Sequence, residues 1–390
     1  MATALPRRAL AAVLAAFALL LNTACGGGGD GEASSPEPSP PLASAAPVSR
    51  MFVAGDSLAD VGTFGLKATV QNAADRATGY PIYPDLVAAD LGVDPLCNHF
   101  SSDDGETFTR NEACTDFAVG GAQVVNPVTR GGSNVPLSLQ DQLEAAVETN
   151  GGAWQAGDLV VVDAGANDAA ALADAYLDAR QGGTAEAAIY SALLAQQLDA
   201  SDIADALAQS DGEALAAGRY MQALAQTYWN TVKANTLDKG ATRVALLDVP
   251  DITRTPRFRA IAAGLDPGGP VTGAEFEAAL RQWIVGFNTE LARLAADEPR
   301  VALVPYFDAF TAQHTRPAEF GLTNVTDPAC PPAGDFEACT DAALDASPPA
   351  GLAAGWWKTW FYSDEFHPSP RGHELLAATV LQALDRAGWR

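Results

Sequence analysis

The sequence predicts one α/β domain built on a central parallel sheet, and three observations predict it. Short apolar runs bounded by turn residues recur after Arg50: "RMFVAG", "FAVGG", "DLVVVDAG", "TRVALLDVP" and "RVALVPYF". Their Val, Leu and Ala run on continuously, which fits strands covered on both faces. Longer stretches of helical periodicity separate them, as right-handed crossovers between parallel strands require. No internal repeat and no second core boundary interrupts the pattern, and a 390-residue chain with 48% apolar residues can bury a large core.

The first residues stand outside that domain. Arg7 and Arg8 precede an apolar stretch from Ala9 to Leu21, which is too short to span a bilayer comfortably and has the shape of a secretory signal. It ends in "LNTACGGGGDGE", which resembles the processing site of bacterial lipoproteins. That resemblance implies a signal peptide over residues 1–25, lipid on Cys25, and attachment to a membrane of the cell envelope. Asn22 stands where such sites carry Leu, with Leu21 one place earlier, so a secreted or periplasmic chain is the alternative. Residues 26–48 are Gly, Ser, Pro and Ala with scattered acids, a composition that cannot bury enough surface to order itself, and they read as a tether. Residues 49–390 hold the domain.

Charge and cysteine usage narrow the function. With 23 basic against 48 acidic residues the formal charge is −25, which repels phosphate backbones and excludes nucleic acid as an expected partner. Beyond Cys25 the chain has Cys97, Cys114, Cys330 and Cys339. An even number in an exported chain points to disulfides, with three pairings open. Loop-like surroundings rich in Asp, Asn, Pro or Gly favour 97 with 114 and 330 with 339. No CxxC and no Cys/His cluster suggests a metal, and no cofactor is expected.

Taken in order, the strands deliver polar residues to their C-terminal ends, where open parallel sheets form their ligand crevice. Gly55-Asp56-Ser57 ends the first run in a tight turn, although Asp and Ser are equally ordinary helix caps. Gly120 and Gly121 end the second run, and "GAND", residues 165–168, ends the third. From Ala169 to Lys239 the Ala-rich sequence reads as several helices, more than one crossover needs. The excess is expected to be an insertion near the site that supplies its pocket walls. Near the C-terminus Asp364 and His367 are three apart on a loop fixed by Pro368 and Pro370, before an amphipathic last helix. That spacing lets the carboxylate curl back to the imidazole Nδ1 and leave Nε2 free as a base. His99 and His314 lack such a setting, and His373 falls in the first turn of the last helix. The cluster Trp356, Trp357, Trp360, Phe361 and Tyr362 is expected to pack as core.

As a set these residues resemble the GDSL or SGNH hydrolases. "GDSLADVG" is similar to the nucleophile block, "FAVGGA" to the glycine block, "GAND" to the Gly-x-Asn-Asp block and "DEFHPSPRGH" to the Asp-x-x-His-Pro block, in the family's order. "KGATRVALLDVPDITRTP" and "PAEFGLTNVTDPAC" resemble segments of longer, insertion-containing esterases and lipases. The resemblance implies a three-layer αβα sandwich of flavodoxin-like type and ester hydrolysis through an acyl-enzyme. Ser57 would be the nucleophile, His367 the base and Asp364 its orienting acid. The oxyanion donors would be the Ser57 and Gly121 N–H groups and the Asn167 amide. Asp116 stands where the glycine block usually opens with Asn, and counting from it selects Gly121 over Gly120. Asp168 is expected to support or cap. The expected substrate is a small-molecule or lipid acyl ester. The alternatives are phospholipase, acyltransferase or carbohydrate acetylesterase activity with the same triad, and an inactive surface-binding lipoprotein.

Overall fold

The structure is a computed structural model that describes residues 47–125, 136–331 and 336–390. Residues 1–46, on which the expected leader, Cys25 and most of the expected tether fall, lie outside the described residues. Four strands, β1 (Arg50–Ala54), β4 (Asp158–Val162), β5 (Val244–Leu247) and β6 (Val301–Val304), form a parallel sheet in the order β1-β4-β5-β6. The remaining strands are peripheral: β2 (Phe100–Ser101) pairs antiparallel with β3 (Thr109–Arg110), and β7 (Asn324–Pro328) pairs parallel with β8 (Trp360–Tyr362).

Side-chain alternation along the strands builds two cores, one on each face of the sheet. Phe52, Ala54, Val160, Val162, Val244 and Leu246 pack under α2 (Leu139–Thr149), α3 (Ala166–Gln181), α6 (Gly212–Asn235) and α8 (Gly273–Ala295). Met51, Val53, Leu159, Val161, Ala245 and Leu247 pack under α1 (Tyr83–Leu91), α9 (Tyr306–Thr315) and α11 (Pro370–Arg386). Each of the larger aliphatic side chains stabilises by about 1.5–3 kcal/mol relative to exposure. Continuous apolar strands and helices on both sides are therefore one fact seen twice.

The "FAVGG" run departs from the expectation of a full strand. Thr115–Val119 runs beside the free edge of β1 with a single bridge, Val53 to Asp116, and turns away at Gly120 and Gly121. Phe117 and Val119 donate N–H bonds to Val53 (2.8 Å) and Gly55 (3.1 Å). The outward Ala118 N–H is taken by the Asp116 carboxylate at 2.9 Å, which limits further pairing on that side. His99 donates to the Asp116 carbonyl at 2.6 Å, and the Cys97–Cys114 disulfide pins the two segments together.

Four helices lie between β4 and β5. α6 serves the crossover, with the Tyr228 hydroxyl reaching the Val162 carbonyl at 3.2 Å. The excess is α4 (Thr184–Leu194), stacked on α3, and α5 (Ala200–Leu207), stacked on α6. Between β5 and α8, α7 (Pro256–Gly264) starts with Thr255 accepting the Phe258 N–H; α10 (Asp341–Ala346) follows the second disulfide, Cys330–Cys339. Trp357 is buried with Val70 and that disulfide, while Phe361 and Tyr362 are buried in the α11 core.

Cys97 and Cys114 are 17 residues apart, a loop whose closure is worth about 3 kcal/mol through the unfolded state. Replacing both by Ser should lower the urea midpoint by a corresponding amount and raise the slope, because the unfolded chain loses its cross-link and exposes more surface. An unchanged midpoint would show that the β-edge packing alone holds this segment.

Candidate active site

β1 and β4 end side by side, Ala54 opposite Val162, so the next residues, Gly55 and Asp163, meet. A Cβ on Gly55 would stand 2.1 Å from the Asp163 carboxylate, which only glycine avoids. Gln142 of α2 holds Gly55 from the other side, accepting its N–H at 2.8 Å and donating to its carbonyl at 2.9 Å. Asp163 accepts the Asp56 N–H at 3.0 Å on Oδ1 and the Tyr83 hydroxyl at 2.5 Å on Oδ2. The Asp56 carboxylate accepts the Leu58 N–H at 3.0 Å. No helix starts here: the Asp56 carboxylate closes a turn, and Ser57 is held at its crest.

The Ser57 Oγ lies 2.8 Å from His367 Nε2, and His367 Nδ1 lies 2.8 Å from Asp364 Oδ2. An ionised carboxylate can only accept, so the ring proton sits on Nδ1 and Nε2 faces the hydroxyl as an acceptor. Asp364 Oδ1 also takes the N–H groups of Phe366 (2.8 Å) and His367 (2.5 Å), which curls the loop. Ser363 anchors that loop: its hydroxyl accepts from Val70 N–H at 2.9 Å, and its N–H donates to the His367 carbonyl at 2.9 Å. Its own carbonyl receives Cys330 N–H at 2.7 Å, tying the loop to the second disulfide.

The electrostatics follow from this arrangement. Burial pushes the Asp364 carboxyl up, but the facing imidazole and its hydrogen bonds outweigh this and hold it below the ordinary range. Burial pushes His367 down, yet the Asp364 charge and hydrogen bond, with Asp56 adding, lift it above the ordinary imidazole value. Beneath the turn, burial raises Asp163 well above the carboxylate range, and the neighbouring Asp56 charge adds to it.

The glycine segment is laced to the Ser57 turn and to the start of α3. Gly120 donates its N–H to Asp60 at 2.8 Å. Gly121, at φ +81°, has an N–H without a partner among the described residues, and open space where a Cβ would stand. Asn167 donates one amide N–H to the Ala122 carbonyl at 2.9 Å, which leaves its second N–H unspent. Asp168 accepts the Val124 N–H at 3.0 Å, and burial pushes its carboxyl up to about 7, so it braces the segment. The Ser57 N–H is likewise without a partner among the described residues.

A family model described as GDSL-like Lipase/Acylhydrolase matches residues 51–380. The chain belongs to the GDSL-like lipase/acylhydrolase family. No match is found among curated proteins. Among solved structures this GDSL-like chain is similar to phospholipase A1 from Streptomyces albidoflavus NA297, at 15% identity over 85% of this chain and 97% of that one, with a TM-score of 0.38. It is also similar to a structure described as a GDSL-like lipase from Parabacteroides merdae ATCC 43184, at 12% identity over 87% and 96%, with a TM-score of 0.36.

The other histidines of this GDSL-like domain are placed for packing. His99 stacks on Phe117 with centroids 4.3 Å apart, His314 lies between the Phe310 carbonyl and the Tyr362 hydroxyl, and His373 Nδ1 accepts the Tyr83 N–H at 3.3 Å. Among the described residues no group of three or more His, Cys, Asp or Glu is arranged to hold a metal ion. Pocket walls depart from expectation. A narrow apolar slot beside Ser57 and His367 is walled by Pro250 and Ile252 after β5, by Tyr306 and Phe310 of α9, and by Phe366. Of the helices between β4 and β5 only Ala166, at the start of α3, reaches it, because α4 and α5 stack outward.

Residues outside the sequence reading do much of the positioning. Asp163, a charge closing a buried apolar run, carried a readable signal; Gln142, Tyr83 and Ser363 carried none. NMR titration should find the His367 imidazole above its ordinary value. Asp364→Asn, which removes the carboxylate charge, should move it down. An unshifted midpoint in that variant would remove Asp364 as the cause.

Proposed function

We propose that the chain is an exported serine ester hydrolase that cleaves carboxylic acyl esters through an acyl-enzyme. The observation that carries this reading is the unbroken Ser57–His367–Asp364 chain, at 2.8 Å and 2.8 Å. Ser57 Oγ attacks the ester carbonyl as His367 Nε2 takes its proton, and Asp364 stabilises the imidazolium that forms. The carbonyl oxygen becomes an oxyanion, which the Ser57 and Gly121 N–H groups and the second Asn167 amide N–H would receive. His367 then returns the proton to the departing alcohol oxygen. A water gives its proton to the same nitrogen, attacks the acyl-enzyme, and releases the acid while Ser57 regains its hydrogen.

The pH dependence follows from His367. Its protonated form cannot accept the Ser57 proton, so kcat/KM should fall as pH drops through the raised imidazole value and level off above it. Asp364→Asn should shift that limb to lower pH while lowering its plateau.

Location rests on two features. Two disulfides suit an oxidising compartment outside the cytosol. The "LNTACGG" stretch, outside the described residues, supports a lipid anchor at Cys25.

Ser57→Ala and His367→Ala should each lower p-nitrophenyl ester hydrolysis by roughly 10⁴-fold or more with the fold intact. Asn167→Ala should lower kcat by roughly 10²–10³ with little change in KM, since it serves charge present only in the transition state. Substantial activity in well-folded Ser57→Ala would end the assignment. Labelled fatty acid should enter the wild type and not Cys25→Ala; equal release of both into the medium would remove the anchor and leave the enzyme.

A further inference from the structure

The slot beside Ser57 is small. It opens on both Ser57 and His367 and has about 20 Å³ free for a water-sized group, little above what one water needs. Its walls are fixed by their own neighbours. Phe366 is packed by Phe258, with centroids 6.2 Å apart, and lies under the Arg257 guanidinium at 5.8 Å. Arg257 is itself held, by its N–H to the Glu365 carbonyl at 2.9 Å and its guanidinium to Asp174. Phe310 stacks on His314 at 4.2 Å and meets Phe361 edge-on at 5.3 Å. Ile252 is buried. Moving any of these walls breaks contacts in a close-packed interior. The larger cleft, about 500 Å³ and lined by Arg254, Arg259, Glu277 and His314, shares no lining residue with the slot.

An ester bound at Ser57 sends one of its two arms into this slot. The alcohol arm must leave before deacylation, and a water must take its place beside Nε2. The acyl arm stays bonded to Oγ through both steps. A small slot with packed walls suits the arm that stays. We propose, resting on the hydrolase reading, that the slot is the acyl site and admits only short acyl groups, acetyl to propionyl, with Ile252 and Phe366 setting the limit.

The test separates this from the hydrolase reading. At fixed alcohol, kcat/KM for p-nitrophenyl acetate should exceed that for the octanoate by roughly a hundredfold or more, since each methylene refused by an apolar pocket counts for about tenfold or more. At fixed acyl group, ethyl and hexyl acetate should differ by less than about tenfold, because an open alcohol side does not sort them by methylene count. Ile252→Ala and Phe366→Ala should each raise the octanoate-to-acetate ratio about tenfold, with folding checked by circular dichroism. Octanoate cleaved as well as acetate, a dependence on alcohol length instead, or unchanged ratios in both folded variants would overturn the slot and leave the hydrolase. If no ester is cleaved by the wild type, the hydrolase reading fails and the slot with it.

Discussion

The Asp163 carboxylate carries the geometry on which this domain depends. It sits where β1 and β4 end together, one oxygen against Gly55 and the Asp56 N–H, the other under the Tyr83 hydroxyl. A buried carboxylate is costly unless hydrogen bonds replace its water, and burial here pushes Asp163 well above the usual range. That cost has a structural return, because one side chain ties the end of β1, the end of β4 and helix α1 at a single point. The turn carrying Ser57 has no freedom to relax away from His367. Only glycine fits at position 55, and Gln142 closes the remaining side.

His367 is 310 residues further along the chain, so its alignment with Ser57 depends on a second set of anchors. Ser363 holds the His367 loop to Val70 and to Cys330, and the Asp364 carboxylate binds three N–H groups of its own loop at once. His373, in the first turn of α11, accepts the Tyr83 N–H, which links the helix after His367 to the residue that braces the Ser57 turn. Tyr83 is thus shared: its backbone contacts the His367 side and its hydroxyl the Ser57 side. The two halves of the site are held to one another through α1 as well as through the sheet.

Much of this was legible in the sequence, for reasons that are local. The continuous apolar runs mark strands buried on both faces, and four of the five form the sheet. Asp364 and His367 are close enough in sequence for their contact to be read from spacing. The remaining run, "FAVGG", was misleading because a two-glycine break and an Asp116 side chain that takes the Ala118 N–H are compatible with either a strand or an edge segment. Gln142 and Tyr83 could not be read, since nothing in a helix's composition reports which side chain meets a turn dozens of residues away. The slot walls were misplaced for a similar reason. Ala-rich composition reveals α4 and α5 as helices but not that they stack outward on α3 and α6.

The central claim is that Ser57, activated by His367, carries the acyl group between two half-reactions. Exposing the protein to excess p-nitrophenyl acetate, quenching in acid within the first turnover, and mapping peptides by mass spectrometry tests it most directly. The account predicts one acetyl group per chain on the peptide containing Ser57, and none when His367 is replaced by Ala. Nitrophenol release with Ser57 unmodified and the acetyl group on another side chain would contradict it.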